Sequence, residues 1–323
     1  MGNRVSLKAI VLFFSFWLCM SLSLGAHAAA RVDHAKSIKS CLKEGWKPLS
    51  VKSDGRERAI LWKRPQRKWP SGAIVVLHGG GGSHHQFCAG GKLLQPQIAF
   101  AEQAVEEGFA VFLLDSTNDV VTDENGRQCG KRFDFSVLDR RNIDLAFIGK
   151  VVKKIIPQLR TSRSSEKIFL TGLSTGGYMA IRAAVQFNHR ITAFAPISAG
   201  DPFGTRTNCN PSLSKRKSAK GILLDLETNK PITAKNACKA SSYPNEKDWP
   251  FTRSKSKPVF KQFHHRGDAI VDISCMKKAG EQLKQHGYKR KGTFILRGKK
   301  RRALNHLWFK HYNDAILEFF KSQ

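Results

Sequence analysis

Six apolar runs rich in branched and aromatic residues, separated by amphipathic stretches, restrict this chain more than any other feature. They are AIVVLH (73–78), AVFLLD (110–115), KIFLTG (167–172), ITAFAPIS (191–198), PVFKQFHH (258–265) and GTFILRG (292–298). Runs that are apolar throughout, rather than at alternate positions, belong to strands buried on both faces. Helical patterns fall between and after them, at about 97–107, 138–156, 178–188, 275–286 and 312–321. This alternation predicts an α/β fold, a mostly parallel sheet with helices on both faces. Upstream, LSVKSDGRERAILWKRP predicts a hairpin turning at Asp54 and Gly55. At 323 residues and 41% hydrophobic, the chain can bury a large core, read here as one domain over 29–323.

The first 28 residues read as a signal peptide. Arg4 and Lys8 precede an apolar stretch from Ala9 to Leu24, and the small-residue site Ala26, His27, Ala28 follows. No second stretch is long enough to span a bilayer, so a secreted or periplasmic protein without a transmembrane segment is expected. Cleavage removes Cys19 and leaves Cys41, Cys88, Cys129, Cys209, Cys238 and Cys275. An even number in an oxidising compartment predicts disulfides. Six cysteines allow 15 connectivities and the pairing stays open, although Cys88 with Cys129, and Cys209 with Cys238, would each staple a segment without regular pattern. No CxxC or HExxH spacing marks a metal site, and neither metal nor cofactor is expected.

Lys and Arg number 55 against 25 Asp and Glu, a formal charge of +30. Such a field attracts anions of any kind. Crowding at Lys215–Lys220 and Lys289–Arg302 suits non-specific contact with anionic surfaces, or simply a solvated basic surface. No nucleic-acid-binding signature accompanies the charge, so specific nucleic-acid recognition is not expected. One segment breaks the β/α rhythm, the connection from Asp201 to Lys257. An insertion of that length, about 201–257, reads as a lid, a specificity loop or a mobile basic segment.

At the third apolar run, KIFLT meets Gly172, Leu173, Ser174, Thr175 and Gly176, a GxSxG string at a strand-to-helix seam. A turn this sharp puts Ser174 in a strained conformation, and its flanks must lack bulk for strand and helix to approach. The hydroxyl is thereby raised above the sheet, and the helix directs its amino terminus at the place where negative charge develops. This is the context of a nucleophile elbow.

A nucleophilic serine needs a base, an orienter for the base, and oxyanion donors, in the chain order Ser, acid, His. After AIVVLH stand His78, Gly79, Gly80, Gly81 and Gly82, glycines whose amides can approach a substrate oxygen. Gly80 and Thr175 are the expected N–H donors, and His78 is expected to be structural. A nucleotide-binding loop would need a Lys-Ser/Thr pair or a full GxGxxG, and neither is present. In HHRGDAIVD, Asp268 is the first carboxylate beyond its strand and the expected acid. Asp272 suits a helix cap, and Asp115, ending a strand ahead of the elbow, suits a structural role. His306, in ALNHLWF after the last strand, is the expected base, with His311 less well placed.

From about Ala73 to the C-terminus these motifs resemble the secreted feruloyl esterase and poly(3-hydroxybutyrate) depolymerase-like branch of the α/β-hydrolases. VVLHGGGG is similar to its oxyanion loop, KIFLTGLSTGGYMA to its nucleophile segment, HHRGDAIV to HGxxDxxV and NHLW to GHxW. The resemblance implies an α/β-hydrolase fold with Ser174 as nucleophile, Asp268 as acid and His306 as base. FDFSVLDRRNIDLAFIGKVV resembles the family's DDVxFI helix, in which Asp144 is expected to be structural. The sequence departs from the pattern at Ala303, Leu304 and Asn305, where glycines are common, and at Ala269, where Pro is usual. The expected function is an exported serine esterase that cleaves small or polymeric carboxylic esters through an acyl-enzyme. A peptidase or thioesterase with the same triad, and a catalytically silent basic protein binding anionic polymers, are the alternatives.

Overall fold

The computed structural model describes residues 34–116, 131, 133, 142–203, 222–224, 231–233, 256–298 and 302–323. Helix α1 (His34–Lys43) leads into the hairpin of β1 (Lys47–Ser53) and β2 (Arg56–Lys63). As expected, this hairpin turns at Asp54 and Gly55, with φ of 50° and 73°. Two left-handed residues in succession match the twist of the strands they join, and glycine adopts that conformation without steric cost. The chain continues through β3 (Gly72–Leu77), α2 (Gln95–Glu106), β4 (Phe109–Leu114), α3 (Ile143–Lys150) and α4 (Ile156–Leu159). Next come β5 (Ile168–Leu173), α5 (Thr175–Gln186), β6 (Ala193–Ile197), and the short pair β7 (Ile222–Leu224) and β8 (Pro231–Thr233). The last elements are β9 (Val259–His265), α6 (Ile273–Gln285), β10 (Arg290–Leu296) and α7 (His311–Lys321).

Among the described residues, eight strands form one sheet in the order β1-β2-β4-β3-β5-β6-β9-β10. Pairing is antiparallel from β1 through β2 to β4 and parallel from β4 to β10. Strands β3, β4, β5 and β6 are buried at every position, which accounts for their unbroken apolar sequences. Alternate residues feed two cores. Val75, Phe112, Leu170 and Phe194 pack with Phe147 of α3 and Met179 of α5. Val76, Leu113, Phe169 and Phe263 pack with Phe100 of α2 and Phe320 of α7.

One pairing departs from expectation. Cys88 is bonded to Cys41 rather than to Cys129, with 5.1 Å between their Cα atoms. The cause is α1, an element with no counterpart in the sequence reading, which packs on the turn His84–Phe87 and brings a buried Cys41 against Cys88. Cys275 is also disulfide-bonded. Cys129, Cys209 and Cys238, the signal segment 1–28, and most of the 201–257 connection lie outside the described residues. Among those described, no helix is long and apolar enough to cross a membrane.

Candidate active site

Ser174 follows β5 directly, with φ 53° and ψ −118°, and Thr175 opens α5. The glycines around it leave no room for a side chain. A Cβ on Gly172 would stand 2.6 Å from the Gly176 backbone, and one on Gly176 only 2.3 Å from the Leu77 carbonyl oxygen. The Ser174 amide donates to the Ile197 carbonyl at 2.9 Å, which fastens the elbow to β6. Thr175 stands in the first turn of α5, where amides lack intrahelical partners. Both residues are partly exposed.

The candidate acid and the candidate base come from the loops after β9 and β10. Asp268 is 1% exposed, and its Oδ1 accepts from the amides of Ile270 (2.8 Å) and Val271 (3.0 Å). Its Oδ2 lies 2.7 Å from His306 Nδ1. With a carboxylate as acceptor, Nδ1 carries the proton and Nε2 presents its lone pair. Nε2 is buried and has no hydrogen-bond partner among the described residues, the Ser174 hydroxyl included. The two loops are tied together at Gly267, whose carbonyl accepts from the Arg302 amide and from Asn305 Nδ2, each at 3.0 Å. Asn305, a departure from the family's glycine pattern, thus holds the histidine loop against the aspartate loop.

The sheet brings these parts to one edge. Leu173 is in register with Ile197, Ile197 with Phe263, and His265 with Leu296, all in parallel strands. The elbow and the loops bearing Asp268 and His306 therefore leave the same carboxyl-terminal rim.

Behind the carboxylate, His264 is fully buried, with Nε2 3.0 Å from the Val271 carbonyl and 3.7 Å from Asp268 Oδ2. Burial pushes its pKa down, and the neighbouring Asp268 charge offsets this only in part. Trp308 secures the other side. Its ring lies 5.7 Å from that of Phe87 and 4.9 Å from that of Phe100, and Nε1 donates to Asn313 at 2.8 Å.

The glycine loop after β3 folds back on itself. The Gly82 amide donates to the Gly79 carbonyl at 3.0 Å, and Gly81 takes a φ of 77°. His78 is fully buried beneath it, with Nδ1 2.8 Å from the Gly79 carbonyl and Nε2 accepting from the Ser116 amide at 3.1 Å. This is the structural role expected for it. A cavity of about 880 Å³ flanks the loop, bounded by Leu49, Ile60, Gly81, His84, Asp115 and Lys131, and its lining includes neither Ser174 nor His306.

Of the remaining candidates, Asp272 and Asp144 serve the fold. Asp272 caps α6 by accepting from the Ser274 amide, and His311 is exposed at the start of α7. Asp144 is buried and pairs with Arg58 at 2.5 Å, a partner that nothing in the sequence pattern singled out. Among the described residues, no group of three or more His, Cys, Asp or Glu side chains could hold a metal ion.

A family model described as alpha/beta hydrolase fold matches residues 72–297. The chain belongs to this family. Among solved structures, it is similar to a Pyrococcus furiosus esterase, Pf2001, at 16% identity and TM-score 0.52, covering 86% of this chain and 92% of that one. It is also similar to an S-formylglutathione hydrolase from Agrobacterium tumefaciens, at 13% identity and TM-score 0.51, covering 86% and 94%. A Pyrococcus horikoshii acylaminoacyl peptidase matches at 17% identity and TM-score 0.51 over 85% of this chain, which spans 41% of the peptidase. No curated protein matches in sequence.

Proposed function

We propose that this α/β-hydrolase is an exported serine esterase in which Ser174, His306 and Asp268 form the catalytic triad. The observation that carries the reading is the 2.7 Å contact between Asp268 and His306, which leaves Nε2 without a partner on the rim where the elbow emerges. His306 takes the Ser174 proton as Oγ attacks the ester carbonyl, and Asp268 orients the imidazole and stabilises its charged form. The amides of Gly80 and Thr175 receive the oxyanion, each worth about 3 kcal/mol in comparable sites. The imidazolium returns its proton to the departing alcohol. The neutral imidazole so regenerated then activates water to release the acid from the acyl-enzyme.

Carboxylic esters of the feruloyl, acetyl or polyester-oligomer type are the proposed substrates, on the motif resemblance at all four segments. Export is supported by the disulfide between Cys41 and Cys88, since such bonds persist in oxidising compartments. A fluorophosphonate probe and a panel of p-nitrophenyl and feruloyl esters, with one matched amide, test the reading. Labelling and ester turnover by the wild type, both lost in Ser174→Ala, are expected. Absence of labelling in folded protein favours a binding role, and cleavage of the amide alone makes the protein a peptidase.

A further inference from the structure

We propose that Asp115 is a positioning residue for the oxyanion loop, a role that rests on the esterase reading above. Asp115 follows β4 directly. Leu77 is in register with Leu114, so Asp115 stands opposite His78, where the glycine loop begins. Asp115 is buried, its carboxylate reaches the far limb of that loop, and the peptide that follows it reaches the near one.

On the far limb, Oδ1 accepts from the His84 amide at 3.3 Å, and Oδ2 lies 3.3 Å from His84 Nδ1. Oδ2 also pairs with Lys131 Nζ. The Lys131 carbonyl in turn accepts from the Gly81 amide at 2.9 Å, and Lys131 forms an antiparallel bridge with Gly82. On the near limb, the peptide after Asp115 donates to His78, whose other nitrogen meets the Gly79 carbonyl. His84 is held by Asp115 itself, Gly81 and Gly82 by the backbone of its partner Lys131, and Gly79 by His78, while Gly80 stands between the held positions.

An amide serves a developing oxyanion only if its direction is fixed before charge appears. A charge that orders the loop therefore acts on the transition state and leaves ground-state binding almost untouched. A side chain that merely stabilised the fold would alter both together or neither.

The test compares full-length wild type with Asp115→Asn, which keeps the size and one acceptor but removes the charge facing Lys131. Lys131→Met removes the ammonium arm alone and serves where Asp115→Asn fails to fold. Three readouts are taken: kcat and KM on a p-nitrophenyl ester, inhibition by a trifluoromethyl ketone that forms an oxyanion adduct, and amide hydrogen exchange of peptides covering 79–88. The expected result is a kcat loss of at least about tenfold with KM within about twofold, an equal weakening of the ketone, and faster exchange in 79–88. Unchanged kcat, or a loss matched by KM and by exchange throughout the protein, overturns the proposal. If the wild type shows no Ser174-dependent turnover, the esterase reading fails separately. Exchange in 79–88 then decides the positioning role, faster exchange supporting it and unchanged exchange overturning it.

Discussion

Ser174 holds a conformation that an L-residue adopts at a cost of about 1–3 kcal/mol. The hydrogen bond to Ile197 and the close contacts of Gly172 and Gly176 keep it there. Ser174→Gly is therefore expected to abolish turnover and raise stability by about 1 kcal/mol, after allowing for the entropy glycine adds to the unfolded chain. Ser174→Ala keeps the strain and should change stability by less than about 0.5 kcal/mol. Urea unfolding of the two variants checks both, and equal stabilities would show that the elbow stores no strain. His264 makes a second case. Its folded pKa is below the ordinary value of about 6.5, so the unfolded chain takes up protons that the folded one resists. Stability is full above about 6.5 and is lost as pH falls below it, by at most about 1.4 kcal/mol per pH unit. His264→Gln keeps a donor for the Val271 carbonyl without a titrating ring, and its stability should fall less between pH 7 and 5 than that of the wild type. Equal slopes in chemical denaturation would mean that His264 does not titrate in this way.

Strands β3 to β6 were legible because burial on both faces writes itself as an unbroken apolar run, whereas β10, at the sheet edge with no position buried, was read only from the branched and aromatic residues of GTFILRG. The elbow was legible because its steric demand selects Gly172 and Gly176 by name. Helix limits were harder to read. The pattern from 178 to 188 begins in fact at Thr175, because the seam turns into α5 with no intervening loop. The pattern from 138 to 156 contains a wider, π-type stretch at Val151–Ile155 between α3 and α4. The partners of the site were illegible for a different reason: His78 opposite Asp115, and Arg58 against Asp144, depend on which strands lie side by side. The loop bearing His306 shows how such contacts act. Asn305 joins it to Gly267, and Trp308 seats it between Phe87 and Phe100. Asn305→Ala should cost about 1 kcal/mol of stability and lower kcat with little change in KM, since only the placement of the imidazole loosens. Trp308→Ala removes a fully buried ring and should cost about 3–5 kcal/mol. Steady-state kinetics and thermal unfolding separate the two, and an Asn305→Ala enzyme with wild-type kcat would leave that side chain a purely structural tie.

Across the molecule, the segment from His84 to Cys88 is where separate parts of the architecture meet. Its first residue answers to Asp115 at the end of β4, Phe87 packs on Trp308 from the histidine loop, and Cys88 is bonded to α1. The disulfide closes a loop of 47 residues that contains β1, β2 and β3. By chain entropy alone, a bond of that span stabilises by about 4 kcal/mol, because it removes freedom from the unfolded chain rather than adding contacts to the folded one. Cys41→Ser with Cys88→Ser is therefore expected to lower stability by about 2–5 kcal/mol, with the denaturant slope rising as the unfolded chain becomes less compact. Most of the proposed catalytic edge does not depend on this bond, since β5, β6, β9 and β10 are paired independently of α1. Ester turnover at low temperature should accordingly survive in the double variant, while inactivation on heating sets in sooner. If turnover instead collapses where the protein is still folded by circular dichroism, α1 is holding the oxyanion loop in place through Cys88, and the disulfide is part of the catalytic scaffold rather than of its stability alone.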